Sequence, residues 1–392
     1  MTLVRSTEAL AIGEQEVGGK ALGLAKLEAA SAPVPPWVVV PATAFDQYLS
    51  QNNLRASIHE AVGRLQKLDL EDPNSLQKIQ AVAIEIQENI RNGAFDPALT
   101  QQVTTALNEL GEGPFAVRSS MVGEDSAEHS FAGQLESFLF QRNTEEVCNS
   151  IQGCWASGFG DRALAYHLRA NLPLDGIRVA VVVQRMIDGE VSGVLFTANP
   201  VNGRRDEALL TAAWGQGEGI VSGLCNTDEF TWRHSGEEVR VSTADKDIQV
   251  SPAPNGERGT VETEVPASKR KERCLTSDQV NQICQESIRV SDNLGSPQDI
   301  EWTIAGGKLY FVQSRPITSL PPEPNTDGPL LTWDNSNIQE SFNGVTAPLT
   351  FSFAERAYAS VYRQTMVAMR IPTKTREAYE PIIQNLLGLI HG

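Results

Sequence analysis

The sequence has few features that would place the protein in a membrane or in an oxidising compartment. No apolar run approaches the roughly 18 residues that are needed to cross a bilayer, and the first residues lack the charged and apolar pattern of a signal peptide. The 5 cysteines form an odd set without a C-x-x-C pair, which argues against a disulfide framework and against a structural zinc site. We therefore expect a soluble protein of the cytoplasm.

Positive charge is also scarce. The 32 Lys and Arg residues face 49 Asp and Glu residues, and the formal net charge is −17. Such a charge repels nucleic acid and anionic membrane surfaces unless a local basic patch overrides it, and no run of Lys and Arg stands out. We expect no nucleic-acid partner and no membrane partner. If the ligand is a polyphosphate, its cationic contacts must be few and supported by a divalent metal.

Side chains for nucleophilic or acid–base catalysis are few as well. The 5 histidines are scattered, and no Ser-His-Asp or Cys-His arrangement is indicated. His129 lies in a polar loop, where it could contact a ligand, although an isolated histidine more often has a structural or solvated role. The sequence therefore offers little for these two kinds of chemistry.

The hydrophobic patterns predict several secondary-structure elements in a chain long enough for two or three domains. The chain has 392 residues, of which 41% are hydrophobic. Residues 42 to about 110 have a helical pattern, and a pattern typical of strands begins at Phe115. Apolar runs at 179–184 and 191–196 predict two neighbouring core strands. Residues 299–304 and 308–313 predict a hairpin with a glycine turn.

A change in composition near residue 319 predicts a domain boundary. The Pro-rich polar segment at 321–329 is typical of an interdomain linker. Residues 331–392 contain a helical pattern that is too short to make a domain alone. We interpret these residues as the truncated start of a further domain.

The strongest local motif is a strand that runs into a polar loop rich in glycine and serine. Residues 117–120 read V-R-S-S, and G-E-D-S and F-A-G-Q follow at 123–126 and 131–134. Arg118 can hold phosphate oxygens with its forked guanidinium, while serine hydroxyls and loop amides supply neutral donors. From local features alone, a surface loop with one solvated arginine explains the pattern equally well.

A second motif lies in the predicted hairpin. Alternation along a strand places the carboxylates of Asp299 and Glu301 on one face, and Gln313 and Arg315 end the partner strand with the same spacing. Two carboxylates there could bind Mg²⁺ through oxygen, and Arg315 could neutralise phosphate charge. The plainer alternative is a solvated, salt-bridged hairpin face, which is common on antiparallel sheets.

Three further motifs are weaker. Lys20 follows two glycines at a predicted helix start and could contact phosphate, although most lysines on helices are merely solvated. Residues 184–187 end a buried strand and could line a purine, or could be plain core. The glycines at 215–219 follow an apolar strand, but the next residues suit a dinucleotide-binding fingerprint poorly. We therefore reject a Rossmann fold.

Taken together and in this order, the segments resemble the ATP-binding domain of phosphoenolpyruvate synthase, pyruvate phosphate dikinase and rifampin phosphotransferase. The resemblance covers residues 1 to about 318. It rests on GGKALGL, PPWVV, AVRSSMVGEDSAEHSFAGQLESFLF, VVVQRMIDGEVSGVLFTANP, GQGEGIVSG with NTDEF, and DIEWTIAGGKLYFVQSRPI. Several ordered matches outweigh the alternative that each segment allows by itself.

The resemblance implies an α+β ATP-grasp fold of two lobes, with mixed or antiparallel sheets flanked by helices. It places the first lobe at 1–183, the second at 184–318, a linker at 319–330 and a truncated helical domain at 331–392. It implies ATP and Mg²⁺ as ligands. In this family, the matching positions contact phosphates at Lys20, Arg118, Ser119, Gln313 and Arg315, line adenine at Gln184, Arg185, Met186 and Ile187, and hold the metal at Glu301, Asp299 and Gln313. The catalytic residues implied are Arg118, Arg315 and Lys20.

The resemblance also implies how the phosphoryl group moves. In this family ATP gives its β-phosphoryl group to a histidine on a separate domain of the same protein, while the γ-phosphate passes to water or phosphate. The histidine motif is not found here, so we expect a fragment that lacks its acceptor. Residues 333–350 resemble the start of the helical domain of rifampin phosphotransferase-like proteins, which leaves pyruvate and a hydroxyl-bearing compound such as rifampin open as final acceptor. A non-catalytic ATP-sensing module is the alternative.

Overall fold

The computed structural model describes residues 3–66, 68, 72, 74–121, 135–170, 172–174, 176–318, 320–321, 347–384 and 387. The chain divides into two compact units, Met1–Leu320 and Pro321–Gly392. All candidate site residues fall in the first unit. The polar loop at 122–134, which includes His129, lies outside the described residues, as does most of the predicted linker at 319–330.

The first half of the larger unit is built on a five-stranded antiparallel sheet. Its strands lie in the order β1-β2-β5-β3-β4. They are β1 (Val4–Arg5), β2 (Trp37–Val40), β3 (Phe115–Met121), β4 (Ser137–Gln141) and β5 (Val179–Arg185). The helices are α1 (Ser6–Ile12), α2 (Glu14–Ala29), α3 (Ala42–Gln51), α4 (Leu54–Leu65), α5 (Ser75–Arg91), α6 (Pro97–Leu110), α7 (Thr144–Ser157) and α8 (Asp161–Arg169).

A six-stranded antiparallel sheet forms the second half of this unit. Its order is β13-β12-β6-β7-β8-β9. The strands are β6 (Val191–Phe196), β7 (Glu207–Trp214), β8 (Asp228–Arg233), β9 (Glu237–Ser242), β12 (Gln298–Ala305) and β13 (Lys308–Pro316). A two-stranded sheet, β10 (Ile248–Pro252) with β11 (Thr260–Glu264), and the helices α9 (Glu218–Val221) and α10 (Ser277–Leu294) complete it.

Two apolar cores hold these layers together. One face of the first sheet, with Val117 and Val181, packs against α3 to α8. The other face, with Val182, shares a core with α2 and with the second sheet, where Trp302 and Phe311 are buried. Strand side chains alternate between faces, so polar residues on the second face of β3 point towards α2 and the second sheet. This alternation decides which side chains of β3 reach α2 and the second sheet.

The secondary-structure predictions for this unit are mostly confirmed, with one correction. The α+β class with antiparallel sheets is confirmed. The glycines at 215–219 lead into the four-residue helix α9 and then into antiparallel strands, which agrees with the rejection of a Rossmann fold. The prediction that 179–184 and 191–196 are neighbouring strands is wrong, because β5 and β6 lie in different sheets. An apolar run identifies a strand but carries no information about its partner.

The helix start predicted at the two glycines lies inside α2. This helix begins at Glu14 and is broken at Gly18, where φ is 75° and ψ is 172°, so a helical segment begins at the glycines and one further turn precedes it. Glycine tolerates this positive φ at little steric cost, so the break falls where the glycines are.

The smaller unit contains two described helices, α11 (Pro348–Ala368) and α12 (Thr373–Gln384). The helical patterns in this part of the sequence predict both of them. Arg363 of α11 donates to Glu380 of α12, with 2.9 Å between Nε and Oε1. Across the described residues of both units, no helix is long and apolar enough to span a bilayer.

Candidate functional site

The hairpin of β12 and β13 contains a β-bulge that decides which side chains reach the site. Glu301 is paired with Gln313, but Trp302 is paired with Phe311, so Val312 is the extra residue of β13. A regular strand would place residues 311, 313 and 315 on one face. The extra residue changes the phase, so Phe311 enters the core while Gln313 shares the opposite face with Glu301.

Arg118 of β3 reaches across to this hairpin. Its Nη1 donates to the carbonyl oxygen of Val312 at 3.0 Å, and its Nη2 donates to Gln313 Oε1 at 2.6 Å and to Glu301 Oε2 at 3.3 Å. The side chains of Arg118 and Glu301 are only 16% and 23% exposed. One guanidinium therefore connects the first sheet with the second, and the carbonyl of the extra residue Val312 accepts one of its bonds.

Arg315 and Asp299 form a second ion pair on the same face of the hairpin. Arg315 Nε lies 2.8 Å from Asp299 Oδ2, and the two residues are direct partners across the strands. The pKa of the Asp299 carboxyl is raised overall, chiefly by burial. Glu301 also raises it, whereas the charge and the hydrogen bond of Arg315 lower it. The hairpin end thus carries Arg315 and two carboxylates, and Arg118 of β3 reaches the same end.

Lys20 lies on the segment of α2 that follows the break. A Cβ on Gly18 would be 2.0 Å from the carbonyl oxygen of Ser120, so α2 approaches β3 closely only because that residue is glycine. Gly19 and Arg315 line the same cavity of ≈ 140 Å³. The half-exposed Lys20 therefore belongs to a segment that adjoins both β3 and the hairpin.

The backbone at the end of β5 is fixed by neighbouring loops on both sides. The amide of Arg185 donates to Pro36 O at 2.8 Å, and the amide of Met186 donates to Pro114 O at 2.9 Å. Met186 and Ile187 are half-buried, whereas Arg185 is exposed. This end of β5 offers an apolar edge next to fixed backbone groups.

Gln184 shares a face of the first sheet with Arg118. Arg118 is paired with Val182 of β5, and Ala116 is paired with Gln184, so both side chains project to the face that carries α2. Gln184 is 3% exposed, and its Nε2 donates to Pro35 O at 3.4 Å. Gln184 and Arg118, one candidate for the purine and one for the phosphates, are therefore on one surface of this sheet.

Ser119 is the predicted residue that lies apart. It alternates with Arg118 on β3 and so projects to the opposite face. Its side chain is fully buried, and its hydroxyl donates to Glu136 O at 3.1 Å. The structure does not bring this hydroxyl to the two ion pairs.

Sequence reasoning missed two groups that the structure places at this site. One is the carbonyl of Val312, because no local pattern distinguishes an extra residue in an alternating strand. The other is Ser120, whose hydroxyl bonds to α2. It stands in the V-R-S-S motif, but nothing in one sequence indicates that it contacts a helix about 100 residues earlier.

The part of the chain that carries these groups matches a known family model. The model described as "Pyruvate phosphate dikinase, AMP/ATP-binding domain" matches residues 14–329. The chain belongs to this family. All candidate site residues, from Lys20 to Arg315, lie inside the matched part of this dikinase-type ATP-binding domain.

Curated relatives carry two kinds of name. A probable phosphoenolpyruvate synthase of Methanothermobacter thermautotrophicus is 34% identical over 322 residues, which are 79% of this chain and 45% of that protein. The phosphoenolpyruvate synthase of Pyrococcus furiosus is 32% identical over 350 residues, covering 78% and 42%. A rifampicin phosphotransferase of a Streptomyces species is 36% identical over 319 residues, covering 81% and 36%. The chain spans less than half the length of these relatives.

Among solved structures, the D-alanine–D-alanine ligase of Bacillus anthracis in complex with ATP is similar to 76% of this chain and to 54% of its own chain. The TM-score is 0.28 and the identity is 10%. A similarity at this level carries no argument, so the dikinase family assignment rests on the sequence matches.

The oxygen atoms of the hairpin face fit a magnesium ion. Glu301 and Asp299 offer carboxylate oxygens, and Gln313 offers an amide oxygen. Gln313 is the direct partner of Glu301 across the hairpin, and Asp299 is two residues from Glu301 on the same strand. Among the described residues no group of three or more acidic, histidine or cysteine side chains could enclose a metal by itself. Mg²⁺ usually takes one or two carboxylates and completes its octahedron with water and substrate phosphates. The dikinase domain offers such a partial set.

Proposed function

We propose that the chain binds ATP with Mg²⁺ across the face shared by β3, β5, α2 and the β12–β13 hairpin. Lys20, Arg118 and Arg315 would contact the phosphates. Glu301 and Gln313 would hold the metal with Asp299 beside them, and residues 184–187 would line adenine. The observation that carries this proposal is the reach of Arg118 from the first sheet to Glu301 and Gln313 of the second.

The proposed chemistry is phosphoryl transfer by alignment and charge neutralisation. Glu301 and Gln313 would hold a magnesium ion, whose positive charge would offset the charge of the phosphates. Arg118 and Arg315 would hold phosphate oxygens in fixed directions, which aligns the phosphoryl group with an incoming acceptor. Half-burial of these guanidiniums strengthens their electrostatic effect relative to bulk water. We further propose that residues 1–183 and 184–318 act as two lobes of an ATP-grasp domain.

We also propose that the β-phosphoryl group of ATP passes to a histidine of a separate domain and then to a small molecule. Relatives named as phosphoenolpyruvate synthases and as rifampicin phosphotransferases have similar identity to this chain, so both pyruvate and a hydroxyl-bearing compound such as rifampin are acceptors to test. The full reading frame would decide between them by the length of helical sequence before the histidine motif.

Position-specific labelling tests the transfer. The chain is mixed with ATP labelled at the β- or the γ-phosphorus and with a histidine domain taken from one of the relatives. We expect acid-labile label on that domain from β-labelled ATP only, while γ-label is released as phosphate. Binding of ATP without any protein-bound β-label would favour the alternative, a non-catalytic ATP-sensing module.

A further inference from the structure

The break in α2 separates one hydrogen-bonding pair of an otherwise regular helix. In an uninterrupted helix the amide of Ala21 would donate to the carbonyl of Val17, four residues earlier. Gly18, with φ of 75° and ψ of 172°, moves these two groups apart. Both belong to buried residues, so each needs another partner.

The hydroxyl of Ser120 provides that partner for both groups. Ser120 Oγ accepts from the amide of Ala21 at 3.1 Å and donates to the carbonyl of Val17 at 2.8 Å. Ser120 is fully buried. A side chain inserted into the hydrogen-bond ladder is a recognised cause of a helix kink.

The same hydroxyl caps the helix segment that restarts after the break. Gly18 stands in the N-cap position of this segment, and Ala21 is its third residue. An N-cap hydroxyl normally accepts from the second or third amide, but glycine has no side chain that could do so. Ser120 makes this bond from another strand, and the missing Cβ of Gly18 leaves the space for it.

The segment before the break is held independently. Arg178 Nη1 donates to Gln15 O at 2.9 Å, and its Nη2 donates to Glu16 Oε1 at 2.9 Å. Burial alone would raise the pKa of Glu16, but the hydrogen bonds from Arg178 and Thr43 bring it below its usual value. The hydroxyl of Ser120 therefore joins an anchored half of α2 to the residues that follow the break.

We propose that Ser120 is a positioning residue that sets the place of Lys20 relative to Arg118. Lys20 lies between the break and Ala21, and Arg118 is two residues before Ser120 on the same face of β3, about 7 Å along the strand. One short strand segment thus fixes both cations that would contact the nucleotide phosphates. This inference rests on the proposed ATP site.

Calorimetric titration of the whole chain with ATP and with adenosine tests it. We expect Ser120→Ala to raise the Kd for Mg²⁺–ATP about tenfold, the size of one displaced charge-assisted contact, and to leave the Kd for adenosine unchanged. Ser157→Ala is the matched control, because Ser157 is also buried and donates to a helix carbonyl, Cys154 O, away from the site. This control should change neither Kd.

A double-mutant cycle separates positioning from general loosening. In the Lys20→Ala background, Ser120→Ala should add no further loss of ATP affinity, and Ser120→Thr, which keeps the hydroxyl, should bind ATP as the unaltered chain does. If Ser120→Ala does not fold, Ser120→Cys replaces it, since a thiol is a weaker donor and acceptor of similar size.

Two outcomes have different meanings. An unaltered chain without Mg²⁺-dependent ATP binding would contradict the proposed function itself. The role of Ser120 alone would be overturned in two ways if the unaltered chain binds ATP. Ser120→Ala and Ser120→Cys could leave the ratio of ATP to adenosine affinity unchanged, or the effects of the Ser120 and Lys20 substitutions could be additive.

Discussion

At the scale of single residues, each arginine of the site is already bound to a carboxylate of the hairpin. Arg118 contacts Glu301, and Arg315 contacts Asp299. Removing one partner of such a partly buried pair leaves the other charge uncompensated, which costs more than losing an exposed pair. ATP with Mg²⁺ supplies new partners of both signs, so the proposed binding is an exchange in which phosphate replaces carboxylate on arginine.

This exchange makes Glu301 the residue on which the magnesium dependence relies most. We expect Glu301→Gln to bind ATP but to lose about tenfold or more of the affinity that Mg²⁺ adds, because an anionic oxygen ligand is gone. Calorimetric titrations with and without Mg²⁺ measure this difference. Glu190→Gln is the control, since the side-chain Oε1 of Glu190 accepts from the turn amide of Gly306 at the other end of this hairpin. A variant with unchanged magnesium dependence would count against Glu301 as a ligand.

At the scale of secondary-structure elements, the bulge in β13 allows one strand to serve both the core and the site. Phe311 is fully buried in the core that the second sheet shares with α2, while Gln313 accepts from Arg118 and Arg315 donates to Asp299. If Val312 were paired regularly in the ladder instead, either the site pair or the core residue would turn the wrong way. The bulge is therefore required by the sequence on both sides of it.

Deleting Val312 tests what the extra residue contributes. The deletion makes Phe311 the neighbour of Gln313, so alternation still sends the two side chains to opposite faces, but it removes the carbonyl that accepts from Arg118 Nη1. We therefore expect the free energy of unfolding to stay close to that of the unaltered chain and the ATP affinity to fall about tenfold, the size of one lost hydrogen bond of a charged group. Val312→Ala keeps the extra residue and its carbonyl, so it should retain ATP affinity within about threefold. Calorimetry and urea unfolding measure the two quantities. ATP bound by the deletion variant with the affinity of the unaltered chain would show that the bulge is dispensable.

The contact of α2 with the edge strand β13 is the second feature at this scale. A Cβ on Gly23 would lie 2.5 Å from the carbonyl oxygen of Ser314, closer than real contacts allow. The loop after α2 also covers β13, because the amide of Phe311 donates to the carbonyl oxygen of Pro33 at 2.8 Å. Covering a sheet edge in this way also removes a surface that could pair with other chains.

Gly23→Ala and Gly63→Ala form a matched pair of helix substitutions. Gly63 lies within α4, where an added Cβ would meet nothing within 4 Å, so alanine there should stabilise the protein by about 0.5–1 kcal/mol. Gly23→Ala should instead destabilise it by about 1–3 kcal/mol through overpacking on β13. Urea unfolding of both variants measures the difference. If alanine stabilised both positions, the close approach of α2 to β13 would be contradicted.

At the scale of the whole molecule, the sequence predicts local patterns better than partners. Alternation correctly places Asp299 and Glu301 on one face, and the hairpin and the helices follow from periodicity. The contact of Arg118 with Glu301 joins residues 183 positions apart, and the assignment of β5 and β6 to different sheets has no local signature either. Only the order of motifs shared with a known family anticipates that these segments serve one ligand.

The negative net charge of the molecule makes ATP binding depend on a few cations. A chain with a formal charge of −17 repels ATP at long range, although salt screens this repulsion beyond about 8 Å at physiological ionic strength. Binding then depends on the few cations held at short range by β3, α2 and β13. The proposed site is therefore sensitive to the loss of any one of them.

Calorimetric titration of Mg²⁺–ATP into the unaltered chain and into Arg118→Ala and Arg315→Ala tests the proposed site most directly. Each substitution should cost about 1.5–3 kcal/mol, or roughly ten- to a hundredfold in affinity. Arg64→Ala removes an arginine whose exposed pair with Glu85 lies between α4 and α5, and it should bind ATP as the unaltered chain does. An unaltered chain without magnesium-dependent ATP affinity, or an affinity that neither site substitution changes, would contradict the proposal that these two arginines meet over one triphosphate.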